Sequence, residues 1–247
     1  MYQFFVEPGQ IQDKQIIITG SDVNHIRNVL RMKPGEEISV SNGIDGKEYR
    51  CGITSYTEDA VLCTLRFIKE EGVELPSRIY LFQGLPKADK MELIVQKAVE
   101  LGAYEVIPVA ARRCVVKLDE KKASAKINRW QGIAESAAKQ SKRGMIPRVR
   151  PVMSMREAVD YARTMDVRLI PYELAQDMRH TREVIETAEA GKEIAVFIGP
   201  EGGFEESEIQ MAVEAGIEPV TLGRRILRTE TAGFTVLSWL MYHLESR

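Results

Sequence analysis

The sequence has few of the residues that build disulfide frameworks and metal centres. Its 247 residues include only three cysteines and three histidines. Cys51, Cys63 and Cys114 are odd in number and widely spaced, and the histidines are scattered, so we predict neither a disulfide framework nor a metal site. Because cysteine is among the most frequently buried residue types, we expect buried free thiols instead.

Long hydrophobic runs are also missing. No apolar run approaches the roughly 20 residues that a membrane-spanning helix needs. The first eight residues, Met1 to Pro8, show neither a basic leader nor a signal-peptide cleavage site. We therefore expect a cytoplasmic protein that has no membrane partner.

The net charge of -2 is small, but the positive charge is concentrated in one part of the chain. Residues 112–150 contain twelve Lys or Arg against three Asp or Glu, a local net charge of +9. Such a concentration is typical of a surface that meets a polyanion such as RNA. A solvated basic helix face would give the same pattern, and charge alone leaves both interpretations open.

The first 70 residues predict a small β-rich domain, with turn residues between several of its strands. One helix is expected within it, over residues 22–32, with Ser21 as a possible N-cap. Arg27 and Arg31 would share its polar face, either as phosphate ligands or as solvated side chains. The expected strands are 15–19, 37–41, 48–54 and 60–67, and the helix is expected to bury Val23, Ile26, Val29 and Leu30.

A polar linker at residues 69–77 separates this part from a different pattern, so we predict domains at 1–70 and 74–247. The second pattern alternates strands with helical segments, which is typical of an α/β fold with a parallel sheet covered on both faces. A helix carrying Leu93, Ile94, Ala98 and Leu101 on one side should end at Gly102. The expected strands are 78–82, 106–109, 167–171, 194–198 and 219–222.

The last predicted helix, residues 231–244, carries an apolar stripe with Trp239 beside it. Such a stripe serves either as intramolecular core or as a dimer contact. Its residues are Val236, Leu237, Leu240, Met241 and Leu244.

Two glycine-containing loops, Ile198 to Gly203 and Leu222 to Ala232, each follow an expected strand. In open α/β sheets, ligands bind beyond the carboxyl ends of strands, so the two loops predict a pocket. Neither has the pattern of an ATP-binding P-loop or of the dinucleotide fingerprint. Glycine lets backbone groups approach a ligand closely, and Ile226 and Leu227 could form an apolar wall.

The second loop also places a cation, a carboxylate and two hydroxyls side by side, just before a helix N-terminus. These residues, Arg228 to Thr231, suit an active-site loop. They equally suit a capping box in which Thr229 or Thr231 is the N-cap and Arg228 pairs with an acid. Both interpretations can hold together.

Several characteristic blocks follow one another in order from end to end of the sequence. The blocks are His25-Ile-Arg-Asn-Val-Leu-Arg31, Gly84-Leu-Pro-Lys87 with Asp89-Lys-Met-Glu92, Gln96-Lys-Ala-Val-Glu-Leu-Gly102, Arg112-Arg-Cys-Val-Val116, Glu135-Ser-Ala-Ala-Lys-Gln-Ser-Lys-Arg143, Ile198-Gly-Pro-Glu-Gly-Gly203 and Leu222-Gly-Arg-Arg-Ile-Leu-Arg-Thr-Glu-Thr-Ala232. Together they resemble the bacterial RsmE family of 16S rRNA uridine-N3 methyltransferases in the SPOUT superfamily. Cys114 stands where we would expect a small hydroxyl residue, and the adjoining arginines are intact.

The resemblance implies a PUA-like β-barrel followed by a SPOUT-type α/β domain with a C-terminal trefoil knot. It also implies a homodimer that acts on 16S rRNA in the small ribosomal subunit, with no DNA partner. The implied cofactor is S-adenosyl-L-methionine, in contact with Tyr172, Glu173, Ile198, Gly199, Pro200, Gly202, Gly203, Leu222, Gly223, Ile226, Leu227, Thr231 and Ala232.

For catalysis we expect Arg228 to stabilise negative charge on the uracil, and Glu230 or Glu201 to accept the N3 proton. Their alternative roles are a phosphate clamp for Arg228 and a helix cap or loop-fixing carboxylate for the glutamates. Another RNA acceptor atom, in a ribose or a tRNA base, and a noncatalytic assembly factor are competing functions. The residues expected to meet RNA are Arg27, Arg31, Arg112, Arg113, Lys139, Gln140, Ser141 and Arg143.

Overall fold

A computed structural model describes residues 1–70, 72–175 and 177–246. The chain forms two compact units: residues 1–74 with 138–146, and residues 75–137 with the chain from 147 onwards. We predicted two continuous domains, at 1–70 and 74–247. In the structure the first unit is discontinuous, because residues 138–146 also belong to it. Glu71, in the predicted linker, lies outside the described residues.

The first unit is built on a six-stranded sheet in the order β1-β4-β5-β6-β3-β2, in which only the β1/β4 pair is parallel. The alternating apolar residues of these strands pack into one core, which includes Ile16, Ile38 and Ile53. The four predicted strands are confirmed. The strands are β1 (Gln3–Phe5), β2 (Ile11–Gln12), β3 (Gln15–Thr19), β4 (Glu37–Ser41), β5 (Glu48–Tyr56) and β6 (Ala60–Lys69), with a 3-10 turn at Pro8–Gln10.

The predicted helix at 22–32 is shorter and less regular than expected. It consists of α1 (Ser21–Asn24) and a π-helical turn (His25–Val29), in which the Leu30 N–H donates to the His25 carbonyl at 2.9 Å. The wider turn rotates Val29 out of the buried face, and its side chain is 61% exposed. Ser21 is the first helical residue and not the N-cap, which is Gly20.

The second unit contains an all-parallel sheet in the order β10-β8-β7-β12-β11-β13, with β9 beside β8. The five predicted strands and the α/β class are confirmed. The strands are β7 (Arg78–Gly84), β8 (Ala103–Ala110), β9 (Arg148–Val149), β10 (Met153–Ser154), β11 (Val167–Pro171), β12 (Glu193–Ile198) and β13 (Glu218–Val220). The helices are α2 (Lys90–Glu100), α3 (Glu120–Ser141), α4 (Met155–Ala162), α5 (Met178–Glu186), α6 (Glu206–Glu214) and α7 (Thr229–Glu245). The last four residues of α3 belong to the first unit, and the rest of these helices to the second.

The central strands β7 and β12 are buried along nearly their whole length, as expected for a parallel sheet covered on both faces. Their paired residues Phe82 and Phe197 stack with ring centroids 4.3 Å apart. In α2 the prediction for Leu93 is wrong, because the buried face passes through Met91 and Val95 and leaves Leu93 44% exposed.

The last helix, α7, begins two residues before the predicted start. Its predicted stripe is mainly intramolecular core, since Val236, Leu237, Leu240 and Leu244 are buried. Tyr242, on another side of the helix, is 74% exposed.

Arg143 is a structural residue of the first unit, and its predicted contact with RNA phosphates is wrong. Its side chain is only 5% exposed, and its Nε lies 3.1 Å from a carboxylate oxygen of Glu74. Its carbonyl accepts a hydrogen bond from the Gln3 amide at 2.6 Å. A charge at this depth needs its partner, because burial penalises an unpaired ion.

We expect Arg143→Met to lower the free energy of unfolding by about 3 kcal/mol, since it leaves the Glu74 carboxylate without its buried partner. Urea denaturation followed by circular dichroism would measure the change. Lys121→Met, at an exposed position of α3, is the matched control and should stay within about 0.5 kcal/mol of the wild type. Equal stabilities of the two variants would contradict the structural role.

Candidate functional site

The loops at the carboxyl ends of four parallel strands surround a cavity of about 710 Å³ in the second unit. Pockets for small molecules and cofactors fall in this size range and at this edge of an α/β sheet. The lining residues are Lys90, Arg113, Pro171, Tyr172, Glu173, Ile198, Gly199, Pro200, Glu201, Gly202, Gly203, Phe204, Thr221, Leu222, Gly223, Arg224, Arg225, Ile226, Leu227, Arg228, Thr229 and Ala232.

The loop after β12 closes in a tight turn. The Gly203 N–H donates to the Pro200 carbonyl at 2.9 Å, and Gly203 has a φ of 66°, which favours glycine. A side chain at Gly199 would lie 3.1 Å from the Gly203 Cα. The turn therefore brings bare backbone to the cavity wall, where N–H and C=O groups can contact a ligand.

Thr229 joins this loop to the start of α7. Its hydroxyl donates to the Gly199 carbonyl at 2.6 Å and accepts from the amide of Gln83 at 2.9 Å. The Gln83 side chain is fully buried at the end of β7. Thr229 is thus not the N-cap of α7, a position that Arg228 takes without a side-chain capping bond. The expected capping box is wrong because the threonine hydroxyl is engaged with the other loop.

Two carboxylates and one ammonium group meet beside the cavity. Lys90 Nζ lies 3.2 Å from Glu201 Oε1 and 3.3 Å from Glu230 Oε2. Glu201 also accepts a hydrogen bond from the Lys87 N–H, at 3.1 Å from Oε1. Burial raises the pKa of Glu201, but backbone N–H donors, including that of Lys87, and Lys90 outweigh it and hold that pKa below its usual value.

Arg228 is an exposed side chain that lines the cavity, and no ion pair involves it among the residues that the structure describes. Arg224 and Arg225 lie in the same loop, are exposed and also face the cavity. Arg113 lines it from another side, with its guanidinium donating to the Gly202 carbonyl at 3.0 Å. The cavity mouth is therefore rich in cations.

The residues predicted from the resemblance for the cofactor all line this cavity, with the exception of Thr231. Of the predicted catalytic residues, Arg228 and Glu201 line it, whereas Glu230 reaches it only through Lys90. Sequence reasoning missed Lys90, Gln83, Arg224 and Arg225. The two arginines were visible as a cationic pair within the quoted loop. Lys90 lies in a block that carries the family resemblance but has no local sign of a role in the site, and nothing marked Gln83.

Many of the residues predicted to meet RNA have partners within their own unit. In the second unit, Arg112 pairs with Glu205 at 3.1 Å, although its side chain is 68% exposed. In the first unit, Lys139 pairs with Asp22 at 3.1 Å. Gln140 is exposed, and Ser141 is partly buried with its hydroxyl donating to the Ala138 carbonyl.

Arg27 and Arg31 do not share a helix face as predicted. Arg31 has a φ of 54° and lies beyond the π-helical turn. The Arg27 guanidinium donates to the carbonyls of Thr57 and Glu58 and lies over the ring of Tyr56. Arg27 is thus held against the sheet, while Arg31 stays exposed.

Comparison with known proteins places this architecture in a family. Residues 73–241 match the model of an RNA methyltransferase domain, and residues 18–66 match that of an RNA methyltransferase PUA domain. The chain belongs to this RNA methyltransferase family. It is 39% identical to ribosomal RNA small subunit methyltransferase E of Bacillus subtilis over 99% of this chain and 98% of the relative.

Solved structures of the family agree with this assignment. Ribosomal RNA small subunit methyltransferase E from Neisseria gonorrhoeae, bound to S-adenosyl methionine, superimposes with a TM-score of 0.84 at 33% identity, covering 96% of this chain and 95% of that one. A methyltransferase from Legionella pneumophila, in complex with the same cofactor, gives a TM-score of 0.83 at 32% identity, covering 97% and 96%.

The first unit is therefore the PUA-like domain of the family, and the second is its SPOUT-type α/β domain. The trefoil knot stays a prediction from the resemblance. The close packing of Gly84 against Pro200, and the bond from Thr229 to Gly199, agree with it.

Among the described residues, no helix is long and apolar enough to cross a membrane. The same residues contain no group of three His, Cys, Asp or Glu side chains that could hold a metal ion. Cys51, Cys63 and Cys114 are buried free thiols, as predicted.

Proposed function

We propose that this protein methylates N3 of a specific uridine in 16S rRNA, using S-adenosyl-L-methionine and acting on the small ribosomal subunit. The observation that carries the proposal is the cavity formed by the two glycine-containing loops, which Arg228 lines without an ion pair to any residue that the structure describes. The names of the family relatives support the choice of substrate. The first unit would serve RNA binding and the second unit methyl transfer, in a cytoplasmic homodimer.

The cavity fits the proposed cofactor. Its volume suits a molecule of that size, and Ile198, Leu222 and Leu227 provide apolar walls. The tight turn at Gly199 and Gly203 exposes backbone groups that can recognise an adenine edge. When bound, S-adenosyl-L-methionine supplies an electrophilic methyl group on a positively charged sulfur.

The protein must orient the uracil for in-line attack and favour loss of its N3 proton. Orientation is the larger contribution, since it can supply roughly 7–11 kcal/mol, whereas a general base typically contributes roughly 10²–10⁴-fold. As the proton leaves, negative charge spreads onto the uracil oxygens. We assign to Arg228 the donation of hydrogen bonds to one of them, because this residue lines the cavity and has no competing ion pair among the described residues.

The two glutamates have different surroundings. Glu201 lines the cavity, but its carboxylate accepts a hydrogen bond from the Lys87 N–H and pairs with the Lys90 ammonium group. Its main role is therefore to fix the loop after β12. Glu230 has a buried oxygen that forms an ion pair with Lys90 but no aligned hydrogen bond within the described part of the chain. Of the two, Glu230 is therefore the better candidate for receiving the proton, through a bridging water.

Arg224 and Arg225 extend the positive surface beside Arg228, and we assign them to the RNA backbone. Uridines in single-stranded or splayed RNA regions can enter such a cavity, because their Watson–Crick edges are free. The proposed substrate is thus a shaped RNA within the ribosomal subunit.

The test is to incubate the protein with S-adenosyl-L-methionine and small ribosomal subunits from cells that lack the activity. We expect 3-methyluridine in the digested 16S rRNA by mass spectrometry. A different methylated nucleoside would indicate another acceptor atom. Cofactor binding in calorimetry with no methylated nucleoside in 16S rRNA or tRNA would favour a noncatalytic assembly factor.

A further inference from the structure

Lys90 links three segments that are far apart in the sequence. It is the first residue of α2 and lines the cavity. Its ammonium group lies between Glu201, in the loop after β12, and Glu230, in the first turn of α7. Glu201 Oε1 and Glu230 Oε2 each lie just over 3 Å from Lys90 Nζ, so these two oxygens are at most about twice that distance apart.

Two carboxylates at this distance repel each other when both are ionised, and a cation between them offsets that repulsion. Within the described part of the chain, Lys90 is the only cation in ion-pair distance of either acid. Arg113 and Arg228 face the same cavity without pairing with these acids, and on α2 the nearby Glu92 is occupied by Arg129 at 2.8 Å. The negative charge of the two glutamates is therefore compensated by one side chain, that of Lys90.

We propose that Lys90 is a positioning residue of the active centre, which holds Glu201 and Glu230 together through its two ion pairs and thereby fixes the two cofactor loops to α2. This inference rests on the proposed function. Lys90 belongs to neither of the cofactor loops that the family resemblance singled out. Its role follows from its two ion pairs and from its place on the cavity wall.

The electrostatics of the pairs agree with this role. The neighbouring carboxylates, first that of Glu201 and then that of Glu230, raise the pKa of Lys90, which favours its ammonium form over a role as the base. The pKa of Glu201 is lowered in return. Both effects favour the ion pair between Lys90 and Glu201.

Lys90→Met removes the cation and keeps most of the side-chain volume. We expect a drop in kcat/KM of about 10²-fold for methylation of small ribosomal subunits, because the loops lose their common anchor. We also expect weaker binding of S-adenosyl-L-methionine in calorimetry. Lys90 helps to lower the pKa of Glu201, so without Lys90 that pKa should rise and the acid limb of the pH–activity profile should move to higher pH. Lys90→Arg should restore most of the activity and the original profile.

A double-mutant cycle separates this role from a direct one. If Lys90 acts through the two acids, Lys90→Met should cost little further activity in a Glu201→Gln, Glu230→Gln background. Lys97→Met is the control, since Lys97 pairs with Glu100 on the same helix and does not line the cavity. Thermal melting of each variant shows whether it folds. If Lys90→Met does not fold, Lys90→Arg and the isosteric glutamine variants still test the proposal.

The proposal is overturned if Lys90→Met has the pH profile of the wild type, or if its loss is equally large when both acids are already glutamine. Failure of the wild-type protein to methylate ribosomal subunits is a different result. It would reject the proposed function, and the calorimetric comparison of Lys90→Met, Lys90→Arg and Lys97→Met would still decide whether Lys90 positions the cofactor loops.

Discussion

Arg228→Ala is expected to lower kcat for methylation of small ribosomal subunits by about 10²–10³-fold while leaving the binding of S-adenosyl-L-methionine nearly unchanged. The reason is that Arg228 faces the cavity without an ion pair in the described structure, so its charge is available for the developing uracil anion. Its side chain packs into no core, and the variant should fold normally. Single-turnover assays with saturating RNA would measure the chemical step.

Arg156→Ala provides the control, because Arg156 is exposed on α4 and does not line the cavity. It should retain full activity. If Arg228→Ala instead raised KM and reduced the salt dependence of RNA binding, with kcat intact, Arg228 would be a phosphate clamp. That result would contradict its assignment to the transition state.

Gly84→Ala should abolish cofactor binding and destabilise the second unit. A Cβ atom at Gly84 would lie 2.6 Å from both the ring and the backbone nitrogen of Pro200, and 3.0 Å from the Gly199 carbonyl carbon. These are backbone and ring atoms, which cannot rotate away, so the whole loop after β12 must shift. Overpacking of this kind costs about 1–3 kcal/mol, and the shift would distort the cavity wall.

Thermal melting and calorimetry with S-adenosyl-L-methionine would measure the two effects. Gly132→Ala is the matched control, since a Cβ there meets nothing within 4 Å and alanine favours the interior of α3. That variant should be slightly more stable than the wild type. Normal cofactor affinity in Gly84→Ala would show that the loop tolerates the displacement.

The sequence was sufficient to predict most of the strands because each has a clear pattern. In the first unit, apolar residues alternate and turn residues such as Asn42-Gly43 separate the strands. In the second unit, apolar runs such as 194–198 mark strands buried on both faces. The helix at 22–32 was misjudged, because a π-helical turn changes the spacing of buried residues without any signal in composition. The prediction for Leu93 was wrong for a related reason, because hydrophobic periodicity locates the buried face of a helix only approximately.

The part of the site whose residues lie close together in the sequence could be predicted. Glycine, Arg228 and the neighbouring hydroxyl residues lie within a few positions of one another, and the family resemblance added the cofactor. Contacts made across the fold were not predictable: the bonds from Thr229 to Gly199 and Gln83, and the ion pairs of Lys90, join residues far apart in the chain. The prediction for Arg143 was wrong for a different reason. Its place in a block of basic residues suggested an exposed RNA-binding surface, whereas the fold buries its side chain.

The first unit is discontinuous, which matters for how the protein is made. Residues 138–146 complete a unit whose strands all lie within the first 69 residues. During synthesis, the strands emerge from the ribosome long before Arg143 can pair with Glu74 or accept the bond from Gln3. A fragment that ends at Glu74 lacks these contacts, so the boundary between the units is a poor place to cut the chain. The part proposed to bind RNA thus becomes whole only when more than half of the chain has been translated.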